Sequence, residues 1–525
     1  MRLGPTTGTP PTPKLYLGKR VAILPLRTAS GTRIDPHLLD GFCDDISTRL
    51  SKLEPIHIVS LESTLPLRKV SKKRIIRNVE ADIALIGKIR ETEENNIHLN
   101  VHLIEVRSKV MIWSESYDFD RTEIGKASIE VATSVADALK LKLSAVEEAF
   151  LRKSRTVNAH AYELYFRGIG YVFTNQEKDL SIALSLFTKA IELDGKFADA
   201  HAFTAYALWR KYFSNWNASI KTLHDALQSV KKAKSLDPSS CIAKLAFIRI
   251  CWDIGYAEEA LKEGQEAIRD TPGSIDSQLA MARAYHNAGM ADKALPLTRR
   301  VLELDPANPT AKKLLIWNYL MTKQLPESIN TGTKYLRHNA GDTNTTWAVV
   351  MAYMCLGSFK EATMVALEAL QRESSYALWL LVGYAYRANG DNAAAIEAWT
   401  EGVETTLVRL EGFEENYRTH AWLANLYAAL GDRDKALQEI ELVYSAEPNN
   451  NYLLYRLAHA YAELGMSNDA VKLLQSAIKH GFLSVQLMRC EEILALGKVI
   501  HTDEYQTIAR DLEYYVDSLK SKYSL

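Results

Sequence analysis

Two rhythms of apolar residues divide this chain. Between Arg20 and Arg152 short apolar runs alternate with helical spacing, and from Ala159 onward only the helical spacing remains. VAILPL (21–26) is a short apolar run ended by a polar, glycine-containing stretch, the mark of a buried strand followed by a loop. In DPHLLDGFCDDISTRLSKL, Leu38, Leu39, Phe42, Ile46, Leu50 and Leu53 recur at the spacing of an amphipathic helix. HIVS (57–60) predicts a second strand, KKRIIRNVE (72–80) a short helix, and ADIALIGKI (81–89) a third strand. Ile97, Leu99, Val101 and Leu103 alternate with polar residues, which predicts a half-buried antiparallel strand with MIWSESYDF (111–119) as its hairpin partner. A helix from about Thr122 closes this α/β unit near Arg152.

The second half repeats itself. Small residues at Ala226, Ala260, Ala294, Ser328 and Ala362 follow one another at intervals of 34, and Ala395, Ala436 and Ala470 continue the column. An aromatic column runs through Tyr285, Tyr319, Tyr353, Tyr386, Tyr427 and Tyr461. A glycine column runs through Gly255, Gly289, Gly357, Gly390, Gly431 and Gly465, where a turn needs a residue tolerant of positive φ. Pro238, Pro272, Pro306 and Pro448 end second helices. A 34-residue helix–turn–helix period is that of the tetratricopeptide repeat, whose units bury a core only by stacking. An earlier unit containing Gly168, Tyr171, Ala183, Phe187 and Ala190 fits with a longer inter-helix segment, and seven extra residues fall between Ala395 and Ala436. The expected organisation is therefore a proline-rich tail or linker (1–18), an α/β domain (19–153), a solenoid of about nine repeats (154–483) and helices capping its open end (484–525). The fold class is a small α/β N-terminal domain plus an all-α right-handed superhelix of helix pairs.

Composition narrows the function classes. A chain of 525 residues that is 47% hydrophobic and 24% charged is an ordinary folded protein too long for one core. The 63 basic and 64 acidic residues nearly cancel, so no global field draws the chain to nucleic acid or an anionic membrane. The five scattered cysteines show no metal-ligand spacing and predict reduced thiols; with no apolar leader or 18-residue apolar run, a cytoplasmic setting without membrane contact is expected.

VAILPL, the helix starting near DPHLLDGF, the strand ADIALIGKIR and the hairpin VHLIEVRSKVMIWSESYDFDRTEI together resemble the TolB amino-terminal-like domain. Leu26 and Thr28 stand where such domains often carry Phe and Asn. With the repeats that follow, the resemblance extends to bacterial HilA-like regulators and to tetratricopeptide-containing class III adenylate cyclase-type proteins. It implies a sensory or regulatory half whose winged-helix or cyclase effector lies outside these residues, with the proline-rich start as the linker.

No phosphate loop, HExxH, GxSxG or EF-hand pattern occurs, so no catalytic residue, metal or cofactor is expected. Gly168 and Gly170 are expected to serve close helix packing, and the pairs Asp44-Asp45 and Glu93-Glu94 to be solvated. Arg68, Lys69, Lys72, Lys73, Arg74 and Arg77 form a candidate anion patch, although such runs are usually a solvated face. The stronger candidate is the inner surface of the superhelix, lined from the first helix of each repeat. The register places Arg249 and Trp252, Arg283 and His286, Trp317, Trp347 with Met351 and Met354, Tyr384 and Arg387, Asn425, and Tyr455 with His459 there. Aromatic, methionine and arginine side chains are those enriched in interface anchors. The expectation is a groove for a peptide or partner protein, in which Arg387 and Arg418 meet an acidic side chain or carboxylate. Specific nucleic-acid binding by this chain alone is not expected.

Overall fold

A computed structural model describes residues 18–524 except 30–33, 54–55, 70–79, 93–95, 175, 215–218, 272–273 and 414. The chain divides into two compact units, one of residues up to Ile34 and Phe42–Ser154, the other of Asp35–Gly41 and Arg155–Leu525.

The first unit is built on one mixed sheet of β1 (Lys19–Ile23), β2 (Arg27–Thr28), β3 (Ile56–Val59), β4 (Ile83–Glu91), β5 (Asn96–Glu105) and β6 (Met111–Asp120). Its order is β3-β1-β4-β5-β6, with β2 pairing β4 beyond β1. β1 runs parallel to β3 and β4, whereas β4, β5 and β6 are antiparallel. Pairing of Val21 with Ile83 and of Leu85 with Leu103 puts Val21, Ile23, Leu85, Val101 and Leu103 on one face, all buried. Phe42, Ile46 and Leu50 of α1 (Pro36–Leu50) are buried as well. The opposite face carries a smaller core of Ala22, Leu24, Val59, Ala84 and Ile104. After the four-residue helix α2 (Leu61–Thr64), the predicted helix at 72–80 falls largely outside the described residues.

The closing helix is not continuous: it is split into α3 (Ile124–Ala138) and α4 (Ala145–Arg152). Lys140 adopts φ 54° and its N–H bonds Asp137 O, a left-handed stop, and Ser144 restarts the helix through a capping box with Glu147. Asp45 is not solvated: it is 1% exposed and accepts from Arg49 at 2.7 Å and Ser128 at 2.6 Å, while Arg49 also donates to the carbonyls of Leu151 and Lys153. Its neighbour Asp44 is half-buried, and Glu93-Glu94 lie outside the described residues.

Among the described residues the second unit contains nine antiparallel helix pairs. They are α5 and α6 (Ala159–Val172, Glu177–Leu193), α7 and α8 (Ala198–Phe213, Ile220–Leu236), α9 and α10 (Cys241–Ile254, Ala257–Asp270), α11 and α12 (Ile275–Asn287, Ala291–Leu304), and α13 and α14 (Pro309–Met321, Leu325–Leu336). Then follow α15 and α16 (Thr343–Cys355, Phe359–Leu370), α17 and α18 (Tyr376–Ala388, Asn392–Leu410), α19 and α20 (Tyr417–Leu430, Arg433–Ala446), and α21 and α22 (Asn451–Glu463, Ser467–Lys479). Every member of the small column from Ala226 to Ala470 is buried, at 2% exposure or less, because a larger side chain there would hold the two helices apart. Gly168 serves the same end, lying against the Phe187 ring. The glycine column takes φ values between 73° and 93°. In the fifth unit, where no glycine stands, Lys323 adopts φ 58° at the same step. The seven extra residues between Ala395 and Ala436 lengthen α18 to 19 residues and the loop after it.

The superhelix closes on itself. Ile220 N donates to Glu447 at 2.9 Å, Asn450 Nδ2 to the Tyr212 hydroxyl at 3.2 Å, and the turn at Gly255 lies against the backbone of His480 and Gly481. The segment after Gly481 departs from the expected cap. Rather than only covering the last pair, α23 (Val485–Glu491) packs on α13 and α15, and α24 (Asp503–Tyr523) packs on α10 as well as α22. Tyr505, Ile508, Leu512, Val516, Leu519 and Tyr523 form one buried stripe along α24, worth on the order of 10 kcal/mol of apolar burial. Polar clamps fix its far end: the Tyr285 hydroxyl donates to Tyr523 O at 2.6 Å, and Glu258 accepts from Lys522 and Tyr523. Turn closure brings the third and fourth units beside the ninth, so a segment leaving the ninth reaches all three.

A non-glycine residue at positive φ is strained by about 1 kcal/mol. Lys323→Gly is therefore expected to raise stability by about 0.5–1 kcal/mol, read as a higher denaturation midpoint with an unchanged slope.

Candidate functional site

The predicted inner row splits into two groups. In the sixth to ninth pairs most of it is interior: Trp347 is 8% exposed, Met351 and Met354 1%, Tyr384 4%, Asn425 2%, Tyr455 0% and His459 2%. These side chains are not presented to a partner, and the reason is the closure just described. Trp347 meets Trp422 edge-on at 5.5 Å, and Asn425 donates to Ala421 O and Arg456 O. The carboxylates expected from a partner come from the chain itself. Arg387 holds Glu463 through two bonds of 2.6 and 3.2 Å, with Tyr384 and Lys498 on the same carboxylate. Glu491, fully buried on α23, accepts from Tyr455 at 2.7 Å and Arg456 at 2.9 Å, with His459 Nε2 3.1 Å away. Burial by itself would raise the Glu491 carboxyl, but Arg456, His459 and Tyr455 hold it down at about 2. Burial likewise pushes the His459 imidazole down and the Tyr455 phenol far up. Sequence reasoning missed Glu463, Arg456 and Glu491, because a repeat register shows which face a residue occupies and not what folds over it.

Arg249, Trp252, Arg283, His286, Trp317 and Arg418 are each only half-buried. The first five come from three consecutive first helices, α9, α11 and α13. Among them stands Asp253, half-buried, which accepts a 2.5 Å bond from Trp209 Nε1. Burial raises the Asp253 carboxyl to about 6, against the pull of Trp209, Arg418 and Arg283. The Arg249 guanidinium stacks over Tyr206 at 4.9 Å and Trp209 at 5.5 Å, and Arg418 lies over Tyr452 at 4.3 Å while donating to Phe213 O. Tyr206, Trp209 and Phe213 are themselves stacked along α7. His286 Nδ1–H donates to Asn318 Oδ1 at 2.7 Å, and burial drives its imidazole down to about 4 with Arg283 adding to the effect. Trp317 Nε1 donates to Asn344 at 2.9 Å.

Tyr206 and Trp209 were outside the predicted row for a traceable reason. Counted from the helix caps Phe197 and Ser240, they stand at the same steps as Arg249 and Trp252. The long segment between α7 and α8 puts them off the 34-residue spacing, and aligning caps instead of small residues would have found them. The arrangement is one of guanidinium groups and aromatic faces around one carboxylate. Among the described residues no group of three or more His, Cys, Asp or Glu side chains could hold a metal ion. Of the anion patch, Arg68 is half-buried in a short 3-10 helix that ends at Lys69, whereas Lys72, Lys73, Arg74 and Arg77 lie outside the described residues. No described helix is long and apolar enough to cross a membrane.

Comparison with known proteins agrees on the repeats. Tetratricopeptide repeat family models match residues 417–450 and 452–480. With the nine helix pairs, the chain is a small N-terminal sheet unit joined to a tetratricopeptide-type solenoid. A Rhizobium meliloti (strain 1021) protein named "Putative adenylate cyclase 3" is 28% identical over 243 residues, 45% of this chain and 40% of that protein. The Arabidopsis thaliana "Protein CTR9 homolog" is 20% identical over 282 residues, 52% of this chain and 26% of its own. The chain thus spans 40% or less of the length of these curated relatives. Similar solved structures include a tetratricopeptide repeat protein from Parabacteroides merdae, 14% identical with TM-score 0.37, covering 50% of this chain and 98% of that one. Another is a human IFIT1 dimer with m7Gppp-AAAA, 14% identical with TM-score 0.43, covering 67% and 77%.

Glu491 has a folded pKa below its unfolded value, so its stabilisation is present above pH 4.5 and is lost as the pH falls toward 2. Glu491→Gln leaves Arg456 buried without a counter-charge and is expected to cost about 3 kcal/mol at pH 7. Urea unfolding between pH 2.5 and 7 should show that loss, with a shallower acid dependence in the variant. Asp253 has the opposite sign: its raised pKa means that ionising it from about pH 4 upward costs stability. Asp253→Asn should therefore be as stable as the parent at pH 7, or more so, in the same measurement.

Proposed function

We propose that this chain is a non-enzymatic interaction scaffold whose solenoid holds a segment of a partner protein. The site is the accessible arc of Arg249, Trp252, Arg283, His286, Trp317 and Arg418. The observation that carries it is the contrast along one predicted row. In the sixth to ninth pairs most of the row is buried, with Arg387 and Arg456 on Glu463 and Glu491, while the row residues of the third to fifth pairs, with Arg418 of the eighth, are half-buried near Asp253. Arginine and tryptophan on the concave side of a rigid superhelix suit an acidic, partly aromatic segment, through charge-assisted bonds and stacking. Tetratricopeptide repeats support protein binding in general. Five cysteines without a disulfide support a reducing, cytoplasmic setting.

The relative named as an adenylate cyclase favours a second reading, in which the chain is the regulatory half of a signalling protein whose effector lies elsewhere. The TolB-like resemblance of the first unit belongs to this reading; its mixed sheet with helices supports it. Joint expression with an effector encoded beside the gene should then change that effector's output.

The scaffold reading is tested by affinity capture with the full chain, with Arg249→Glu/Trp252→Ala/Arg283→Glu, and with the exposed control Arg300→Glu. Proteins retained by the parent and the control should fall at least about tenfold with the triple variant, the loss of a few interface anchors. An unchanged set of captured proteins, with the triple variant still folded by circular dichroism, would remove the arc from consideration.

A further inference from the structure

We propose that Cys355 and Cys490 are a thiol modification site, forming a reversible disulfide when a hydroperoxide oxidises the chain. Cys355 ends α15, the first helix of the sixth pair, and Cys490 sits on α23, 135 residues later. Cys355 Sγ donates to the Cys490 carbonyl oxygen at 3.9 Å and Cys490 Sγ to the Leu320 carbonyl oxygen at 3.8 Å, and the two thiols interact closely enough for each to shift the other's acidity. Packing of α23 onto α13 and α15 holds the two cysteines side by side.

The two thiols differ in the way a nucleophile and a resolving thiol differ. Cys355 is half-buried and within reach of a small oxidant, while Cys490 is 6% exposed. The hydrogen bond from Cys490 lowers the Cys355 thiol against the effect of burial, and the Lys323 cation lowers it further. The same hydrogen bond, then burial, raises the Cys490 thiol. By contrast, burial pushes Cys43 and Cys251 up to about 12, which leaves them inert.

The chemistry balances in two steps. The Cys355 thiolate attacks one oxygen of the hydroperoxide, the O–O bond breaks, and Cys355 becomes a sulfenic acid as hydroxide or alkoxide leaves. Cys490 gives up its proton and attacks the Cys355 sulfur, the S–O bond breaks and water leaves, so two thiols have lost two electrons to the peroxide. The bond fastens α23 to the sixth pair next to Glu491, closing a loop that spans the sixth to ninth pairs. A reductant restores both thiols.

The experiment treats the purified full chain with hydrogen peroxide and then blocks free thiols with a maleimide. Intact mass should show a chain lighter by two hydrogens carrying two fewer maleimides. Peptide mapping should join Cys355 to Cys490, and dithiothreitol should reverse both changes. The oxidised chain should melt several degrees higher, because a long loop is closed in the unfolded state. Cys355→Ser and Cys490→Ser should each abolish the cross-link, while Cys241→Ser should leave it intact. The mapping on the parent stands even if a variant fails to fold. Both thiols still open to the maleimide after oxidation, Cys355 reaching the sulfinic acid without a cross-link, or a cross-link to another cysteine would each overturn the proposal.

Discussion

An antiparallel helix pair buries one stripe of each helix and leaves the other apolar stripe facing outward, and the second unit of this protein is the consequence of that constraint. Each pair covers the face of the one before, and the column of small residues from Ala226 to Ala470 lets the helices come close enough for dispersion contacts to accumulate. The rotation carried by every pair then brings the second pair back against the eighth and ninth, through Tyr212, Glu447 and Asn450. What stays uncovered at the far end is closed by the chain itself, since α24 lays a stripe from Tyr505 to Tyr523 across the ninth and third pairs.

That closure decides the electrostatics. Once α21 and α23 lie inside, their carboxylates leave water and must be compensated. Glu463 and Glu491 are tolerated because Arg387, Lys498, Arg456 and two tyrosines converge on them. These groups supply geometry more than net stability. Removing one partner of such a buried pair is costly, although a pair of this kind generally gains little over an apolar core. The row is different in the third to fifth pairs, where Arg249 and Arg283, with Arg418 of the eighth, stay half-buried near Asp253 and in reach of water. A buried part and a half-open part thus share one register and one chemistry, separated by what covers them.

How much of this was legible in the sequence follows from the range of each interaction. Helix pairs, turns and the small column were readable because they depend on residues within about one repeat length of each other, and the constraint is the same in every unit. Gly357 and Ala362 need only their own pair to be understood. The hairpin of β5 and β6 was readable for the same reason, through the alternation of Ile97 to Leu103. The break between α3 and α4 was present in the sequence as Ser144 and Glu147, a local signal that helical periodicity on either side concealed.

Other features depend on contacts between residues far apart in the chain, and no local pattern encodes them. His459 and Tyr455 carry the spacing of groove residues, and only the return of Glu491 makes them interior. Asp253 is an ordinary helix-end carboxylate until Trp209 and Arg418, 44 residues before and 165 after, surround it. By itself the sequence determined the repeating unit, its period and which side of each helix faces inward, because those follow from side-chain size and helical geometry. Only the tertiary structure decided which inward residues meet water and which meet the chain's own carboxylates, because that depends on where the superhelical turn closes and how the last helices pack back into it.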